Sequence, residues 1–266
     1  MVKLKTYSKK KPCYYCGALP PSLREHAPPQ MMFNGFECDG ITVSACAEHN
    51  NSKSGRDRAI VTSLARSMDQ MLQSDHRQRP LSTNVQHAIE LLSPNYRQAN
   101  NFLALRPYLI DPPEGLDVAL PYLEPDVQPL IWIKQLTAAI VWSATGYYDP
   151  EIDWSKAQAW SPHFVRVNDP ISTDQALEKA IQNISAESTI DNNFTWWRGW
   201  SAKPRAYPSD IFHFQLSFVP HPTDWDGKQV IFKHVFYDSV KWYVLFAAST
   251  RTVEILQEAV GAKHLA

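Results

Sequence analysis

The chain has 266 residues, of which 44% are hydrophobic and 12% aromatic, and its formal net charge is −1. This apolar content is sufficient for a packed core and excludes a disordered polypeptide, while the length allows one large domain or two small ones. Residues 1–60 carry nine Lys or Arg against five Asp or Glu, which indicates a polyanionic partner. For Lys9 to Lys11 a solvated, frayed terminus is an equal alternative.

The sequence shows no targeting or membrane-spanning segment. Residues 1–12 are basic and lack the apolar stretch of a signal peptide. The most apolar run, Leu130 to Trp142, is too short to cross a bilayer and contains Lys134. We therefore expect a soluble, cytoplasmic protein with no membrane partner, in which neighbouring cysteines bind metal rather than form disulfides.

The N-terminal segment predicts two short strands followed by a helix. Leu23 to His26 predicts the first strand, and Pro28 with Pro29 is expected to prevent any helix directly after it. The β-branched run Ile41 to Val43 predicts the second strand. Apolar residues then recur with helical spacing from Cys46 to Met71. Gly17 is expected to take a positive φ in a tight turn.

The remainder predicts helices first and an antiparallel meander afterwards, so the fold class is α+β. The predicted elements are helices at Thr83 to Leu92, Leu130 to Gly146 and Thr173 to Glu187, an extended connection at Leu109 to Val127, strands at Phe194 to Trp200, Ile211 to Val219, Gln229 to Tyr237 and Val240 to Ala247, and a helix at Thr250 to Val260. We place a domain boundary between residues 1–75 and 76–266.

Two pairs of metal-ligand residues stand out near the N-terminus. Cys13 and Cys16 form one pair, and Cys46 and His49 form the other, each with a gap of two residues. A tetrahedral Zn²⁺ needs four such ligands, and this gap lets both side chains of a pair reach one ion. The pattern predicts a structural zinc that contributes much of the folding free energy of this segment. Cys38 replacing His49 is a less regular alternative, and unlinked buried thiols are another.

Between these pairs lies the dipeptide Glu25-His26, and Asn50 directly follows the last zinc ligand. A lone histidine is more often a packed or surface residue, but its position at the end of a predicted strand favours a functional role here. Mg²⁺ takes oxygen ligands and keeps several waters. Glu25 and Asn50 can supply two such oxygens, and a neutral His26 can act as a base near physiological pH.

The pattern CxxC, EH, CxxHN and a following Lys resembles the zinc-knuckle type of the HNH (ββα-metal) endonuclease family, over residues 13 to about 60. The resemblance implies a treble-clef-like ββα-metal module in which His26 is the general base and Asn50 and Glu25 bind a catalytic Mg²⁺ or Mn²⁺. Basic residues near the phosphates would be Lys53, Arg56 and Arg58. Many members have Asp where this chain has Glu25. The Asn that steadies the catalytic His has Asn34 and Asp39 as candidates.

These observations predict metal-dependent hydrolysis of DNA phosphodiesters, with RNA as an alternative substrate and homodimerisation if both strands are cut. Restriction, phage defence or a mobile element would be the setting, and residues 76–266 would serve substrate recognition or oligomerisation. The rival hypothesis is a non-catalytic zinc module that binds nucleic acid or a protein. A ligand-sensing C-terminal domain is a third and weaker one. Trp196 and Trp197 can stack on bases, although core packing explains them better. His213 and His234 lie within predicted strands, where we expect buried or hydrogen-bonded rings.

Overall fold

A computed structural model of the chain describes residues 11–19, 23–36, 41–73, 82–99, 129–160, 210–219, 229–237 and 240–261. Within these ranges the helices and antiparallel sheets confirm the α+β class. The elements are, in chain order, β1 (Leu23–Ala27), a 3-10 helix (Gln30–Phe33), β2 (Ile41–Ala45), α1 (Ala47–Gln73), α2 (Thr83–Ala99), α3 (Pro129–Thr145), β3 (Gln158–Trp160), β4 (Phe212–Val219), β5 (Gln229–Phe236), β6 (Val240–Ala247) and α4 (Thr250–Gly261).

The strands β1 and β2 form an antiparallel two-stranded sheet, and α1 follows β2 after a single residue. In this register Glu25 lies opposite Val43 and His26 lies opposite Thr42. Every second residue of β2 is buried, because successive strand side chains point to opposite faces of the sheet. The sequence therefore predicted these three elements and their order correctly.

The segment after β1 corrects one expectation. Pro28 and Pro29 do not prevent a helix, because the 3-10 helix Gln30–Phe33 begins directly after them. Pro29 is its N-terminal cap, and its carbonyl accepts a hydrogen bond of 3.0 Å from Met32 N. A proline is compatible with this place because the first backbone N–H groups of a helix have no partner within it. Met32 and Phe33 point into the core.

The second sheet has the strand order β3-β6-β5-β4, and all its pairs are antiparallel. Its three long strands agree with the meander that the aromatic and β-branched runs predict, to within one residue at each end. The short β3, which the sequence did not predict, pairs with β6 at the edge. Aromatic rings from three strands pack together in the sheet, with Phe214 and Phe246 both stacked on Phe232.

The helix α3 lies at the centre of the described structure. It packs against β1, β2 and α1 on the N-terminal side, and against β3, β6 and α4 on the C-terminal side. Its side chains are apolar around most of its circumference, which is typical of a helix enclosed by other elements. One continuous hydrophobic cluster therefore contains residues from both sides of the predicted boundary at residue 75, from Cys13 to Leu256.

Among the described residues, no helix combines the length and apolarity needed to cross a membrane. The predicted helix Thr173 to Glu187, the strand Phe194 to Trp200 with its tryptophans, and the connection Leu109 to Val127 lie outside the described residues. The helix predicted at Thr83 to Leu92 begins as expected but continues to Ala99.

Candidate metal centre

The first ligand pair lies in a tight turn that precedes β1. Gly17 N donates to Cys13 O at 3.0 Å, and Cys13 N donates to Ala18 O at 3.1 Å, which closes the turn around the two cysteines. Gly17 has a φ of +70°, as its position in the sequence predicts. A Cβ at this residue would lie 2.6 Å from Cε1 of Tyr148, so the close approach of that ring also requires glycine.

The second pair lies where β2 passes into α1. Asn50 N donates to Cys46 O at 3.0 Å, so the helical hydrogen bonds begin at Cys46 itself. His49 comes three residues later, and residues with this spacing lie on the same side of a helix. Both ligands of the pair are half-buried. The start of the helix therefore directs both side chains toward the turn that holds Cys13 and Cys16.

The ligand atoms of Cys13, Cys16, Cys46 and His49 all lie within 4.8 Å of one another. Cys16 Sγ is 3.9 Å from Cys46 Sγ, and His49 Nδ1 is 3.8 Å from Cys13 Sγ and 3.1 Å from Cys46 Sγ. A tetrahedral Zn²⁺ with ordinary Zn–S and Zn–N bonds requires separations of roughly 3.5–3.8 Å between its ligand atoms. These four residues therefore lie close enough to hold a metal ion, and both their chemistry and their spacing fit a structural zinc.

The protonation of this cluster depends on what it holds. Burial, followed by the neighbouring thiols of Cys13 and Cys46, raises the pKa of the Cys16 thiol to about 12. A divalent cation acts in the opposite direction, because a coordinated thiol is deprotonated and releases its proton. Within the described ranges, this is the one group of three or more Cys, His, Asp or Glu residues arranged to share an ion.

Aromatic rings connect the cluster to the C-terminal sheet. The ring of Tyr15 lies 4.9 Å from that of His49 and stacks on Trp154 at 6.1 Å. Trp154 in turn lies 4.9 Å from Phe246 of β6. Contacts of this kind each contribute about 0.5–1.5 kcal/mol beyond simple burial. The turn that contains Cys13 and Cys16 is therefore packed against the larger sheet through Tyr15 and Trp154.

The dipeptide Glu25-His26 lies within β1, and its two side chains lie in different surroundings. Glu25 is only 5% exposed, whereas His26 is exposed to solvent. Oε1 of Glu25 accepts a hydrogen bond of 2.9 Å from the hydroxyl of Tyr14, which is also buried. Their opposite exposure follows from the alternation of side chains along a strand. Tyr14 did not emerge from the sequence, although its place beside Cys13 could have indicated it.

The remaining predicted site residues are on α1. Asn50 is half-buried in the first turn, and Arg58 is exposed. Arg56 is half-buried, and its Nη1 donates to Oε1 of Gln135 on α3 at 3.0 Å, so this guanidinium also joins two helices. Lys53 belongs to α1, but its side chain lies outside the described part of the structure.

The residues considered as partners for His26 are only partly described. Asn34 is exposed in the turn that follows the 3-10 helix, whereas Asp39 lies outside the described residues, as does Cys38. His234 is fully buried and lies 2.8 Å from the hydroxyl of Thr137, in agreement with a packed rather than catalytic histidine. His213 is half-buried in β4.

The chain matches no protein-family model, and comparisons with curated proteins and with solved structures give no match either. The assignment of a function therefore depends on the residues of the site.

Proposed function

We propose that the chain is a metal-dependent endonuclease of the HNH (ββα-metal) type, which hydrolyses phosphodiester bonds in DNA. The observation that carries this proposal is the order β1, 3-10 helix, β2 and α1, with the four-ligand cluster joining the turn before β1 to the start of α1. In this arrangement the acid–histidine dipeptide is on the first strand, and Asn50 is in the first turn of the helix.

The donor set of the proposed reaction site suits a hard cation. The carboxylate of Glu25 and the amide oxygen of Asn50 are ligands that Mg²⁺ and Mn²⁺ accept, whereas the thiols of the cluster suit Zn²⁺. A bound Mg²⁺ or Mn²⁺ would supply charge stabilisation to the phosphate and to the leaving oxygen. Two chemically different sets of ligands thus alternate within residues 13 to 50, one for the fold and one for the reaction.

His26 would act as the general base. Its exposure lets a phosphodiester and a water molecule approach the imidazole without unfolding the strand. A neutral ring takes a proton from the attacking water, and a histidine is well suited to this near neutral pH. Lys53 and Arg58 on α1 would contact neighbouring phosphates. Arg56 would do so only in part, because it also bonds Gln135.

The experiment is a plasmid-nicking assay with the full chain and either Mg²⁺ or Mn²⁺. We expect nicking by the unsubstituted chain and a loss of about 10²- to 10⁴-fold for His26→Ala, the usual contribution of a general base. Since His26 is exposed, the variant should keep its zinc and its melting temperature. His87→Ala, at an exposed histidine of α2, is the matched control and should cut normally. Equal cutting by His26→Ala would remove His26 from the mechanism.

A second candidate function is a non-catalytic zinc module that binds nucleic acid. The burial of Glu25 and its bond to Tyr14 favour it, because a purely structural carboxylate would be held in the same way. The same assay separates the two functions when it is combined with a gel-shift measurement on duplex DNA and on RNA. Binding without cutting in either metal would support the non-catalytic module. Nicks that become double-strand breaks at higher protein concentration would support a homodimer.

A further inference from the structure

Tyr14 links the metal cluster to the proposed reaction site. It directly follows the ligand Cys13 and is only 2% exposed. Its backbone N–H donates to Ser44 O on β2 at 2.9 Å, while its hydroxyl donates to Oε1 of Glu25 on β1, also at 2.9 Å. One residue of the metal-binding turn therefore contacts both strands of the hairpin, and its side chain ends on the carboxylate.

The chemistry of this contact favours a fixed geometry. The hydroxyl of Tyr14 is the donor in this contact, and the carboxylate of Glu25 can only accept. A hydrogen bond to an ionised acceptor is roughly twice as strong as one between neutral groups. A carboxylate offers about four acceptor positions, so this contact orients Glu25 without exhausting its capacity to bind a cation.

We propose that Tyr14 is a positioning residue, whose hydroxyl orients the Glu25 carboxylate toward the divalent cation bound with Asn50. This inference rests on the proposed function, because it assumes that Glu25 is a ligand. It assigns a second role to the cluster around Cys13. The ion held there fixes the residue next to Tyr14, so the zinc stabilises the turn and also determines where the reactive carboxylate points. Groups that orient metal ligands in this way typically change metal affinity 10- to 100-fold when they are removed.

The test compares Tyr14→Phe with Tyr15→Phe in the full, zinc-loaded chain. Tyr14→Phe removes only the oxygen that contacts Glu25. Tyr15→Phe is the matched control, because it removes a hydroxyl from the adjacent residue while keeping the ring that contacts His49. Zinc content, melting temperature and direct Mn²⁺ binding, followed by the paramagnetic resonance of free Mn²⁺, are measured for each chain. We expect Mn²⁺ binding to weaken roughly 10- to 100-fold in Tyr14→Phe and to stay unchanged in Tyr15→Phe.

Cleavage supplies a second readout that a merely structural bond would not move. In Tyr14→Phe the Mn²⁺ concentration for half-maximal cutting should rise by the same factor, whereas the rate at saturating Mn²⁺ should recover. If Tyr14 acts through Glu25, the Tyr14→Phe substitution should have no further effect on Mn²⁺ affinity in a Glu25→Gln background. Unchanged Mn²⁺ affinity in Tyr14→Phe would overturn the inference. So would a loss of affinity that is equally large with and without Glu25→Gln.

The outcomes distinguish this inference from the proposed function. Cutting by the unsubstituted chain together with normal Mn²⁺ binding by Tyr14→Phe would leave the endonuclease standing and remove the role of Tyr14. Mn²⁺ binding that depends on Tyr14, without any cutting of DNA, would support the role of Tyr14 and overturn the endonuclease. An unsubstituted chain that neither cuts nor binds Mn²⁺ would overturn both. If Tyr14→Phe loses its zinc, the Glu25→Gln variant is measured in its place. Normal Mn²⁺ binding by Glu25→Gln would overturn the inference, because Glu25 would then not be a ligand that Tyr14 could orient.

Discussion

The two sheets of the molecule are stabilised by different interactions. The N-terminal sheet has two strands of five residues each, and the C-terminal sheet has three strands of eight residues and one of three. An isolated two-stranded sheet is at best marginally stable in water, whereas a sheet of three or more strands with an apolar face can be stable by itself. The small sheet compensates with the metal cluster, with Tyr14 and with α3, which covers it.

The larger sheet depends on apolar burial. Its strand β5 is buried on both faces, and aromatic side chains of neighbouring strands pack against one another. It contributes no residue to the four-ligand cluster, and it contacts the cluster through Tyr15 and Trp154. The comparison indicates a division in which the larger sheet and α3 supply a packed apolar base, while the small sheet carries Glu25 and His26, the residues for which we propose a role in the reaction.

The largest expected effect comes from removing a metal ligand, which should break the small sheet and spare the larger one. In Cys46→Ala we expect zinc to fall from about one ion per chain to nearly none. Structural zinc contributes on the order of 10 kcal/mol in small zinc-binding folds. Amide hydrogens of β1 and β2 should then exchange rapidly, while those of β5 and β6 keep their protection. Metal analysis and hydrogen exchange measure the two effects.

Cys38→Ala is the matched control for this prediction, because Cys38 is the one cysteine of the four in the chain that is not assigned to the cluster. It should retain zinc, since His49 already completes the cluster. Full zinc retention by Cys46→Ala would contradict the assignment of the cluster. Loss of zinc in Cys38→Ala would instead show that Cys38 takes part in binding.

A smaller effect is expected from a cavity in the larger sheet. Phe232 is fully buried and contacts the rings of Phe214, His234 and Phe246. Phe232→Ala should lower the free energy of unfolding by about 3–5 kcal/mol, measured by denaturant titration. Zinc content per folded chain should not change. The control Lys241→Ala, on an exposed position of β6, should stay within about 0.5 kcal/mol. Loss of zinc together with stability in Phe232→Ala would show that the two sheets depend on each other.

The sequence predicted most of these features from signals that are local in the chain. Ligand spacing indicated the metal cluster, because two residues between ligands suit a single turn. Alternation and composition indicated the strands β4, β5 and β6, since each is long enough to show its period. The three-residue β3 is too short to show one, and the 3-10 helix after Pro29 was excluded by a rule that applies to helix interiors.

Contacts between distant residues could not be predicted in the same way. The bond from Tyr14 to Glu25 and that from Arg56 to Gln135 join residues whose separation in the chain follows no period. The same is true of the ring contacts of Tyr15 with His49 and with Trp154. The candidate reaction residues could be named from their pattern in the sequence. The different exposure of Glu25 and His26 could not be predicted, because it depends on which face of β1 is covered by α3 and by the turn of Cys13 and Cys16.

The last prediction concerns how stability depends on pH. It rests on His234, the one fully buried histidine in the described strands of the larger sheet. His234 lies among the rings of Phe212, Phe214 and Phe232, and burial lowers its pKa from 6.5 to about 3. Thr137 donates to Ile133 O, so its hydroxyl can accept from His234 Nε2. His234 Nδ1 is buried with no hydrogen-bond partner among the described residues. Protonation would make Nδ1 a donor with nowhere to donate, which is why the folded state keeps the ring neutral.

The sign of the pH dependence follows from this difference in pKa. Between about pH 6.5 and pH 3 the unfolded chain binds a proton at residue 234 and the folded chain does not, so acid favours unfolding. His234 should therefore remove up to about 1.4 kcal/mol of stability for each pH unit in this window, and nothing above it. His234→Gln cannot titrate and should flatten the curve of unfolding free energy against pH by that slope. The same substitution at His213, half-buried on β4, is the control. An unchanged slope in His234→Gln would mean that the imidazole finds a proton acceptor in the folded state, and that the larger sheet is less completely apolar than its rings indicate.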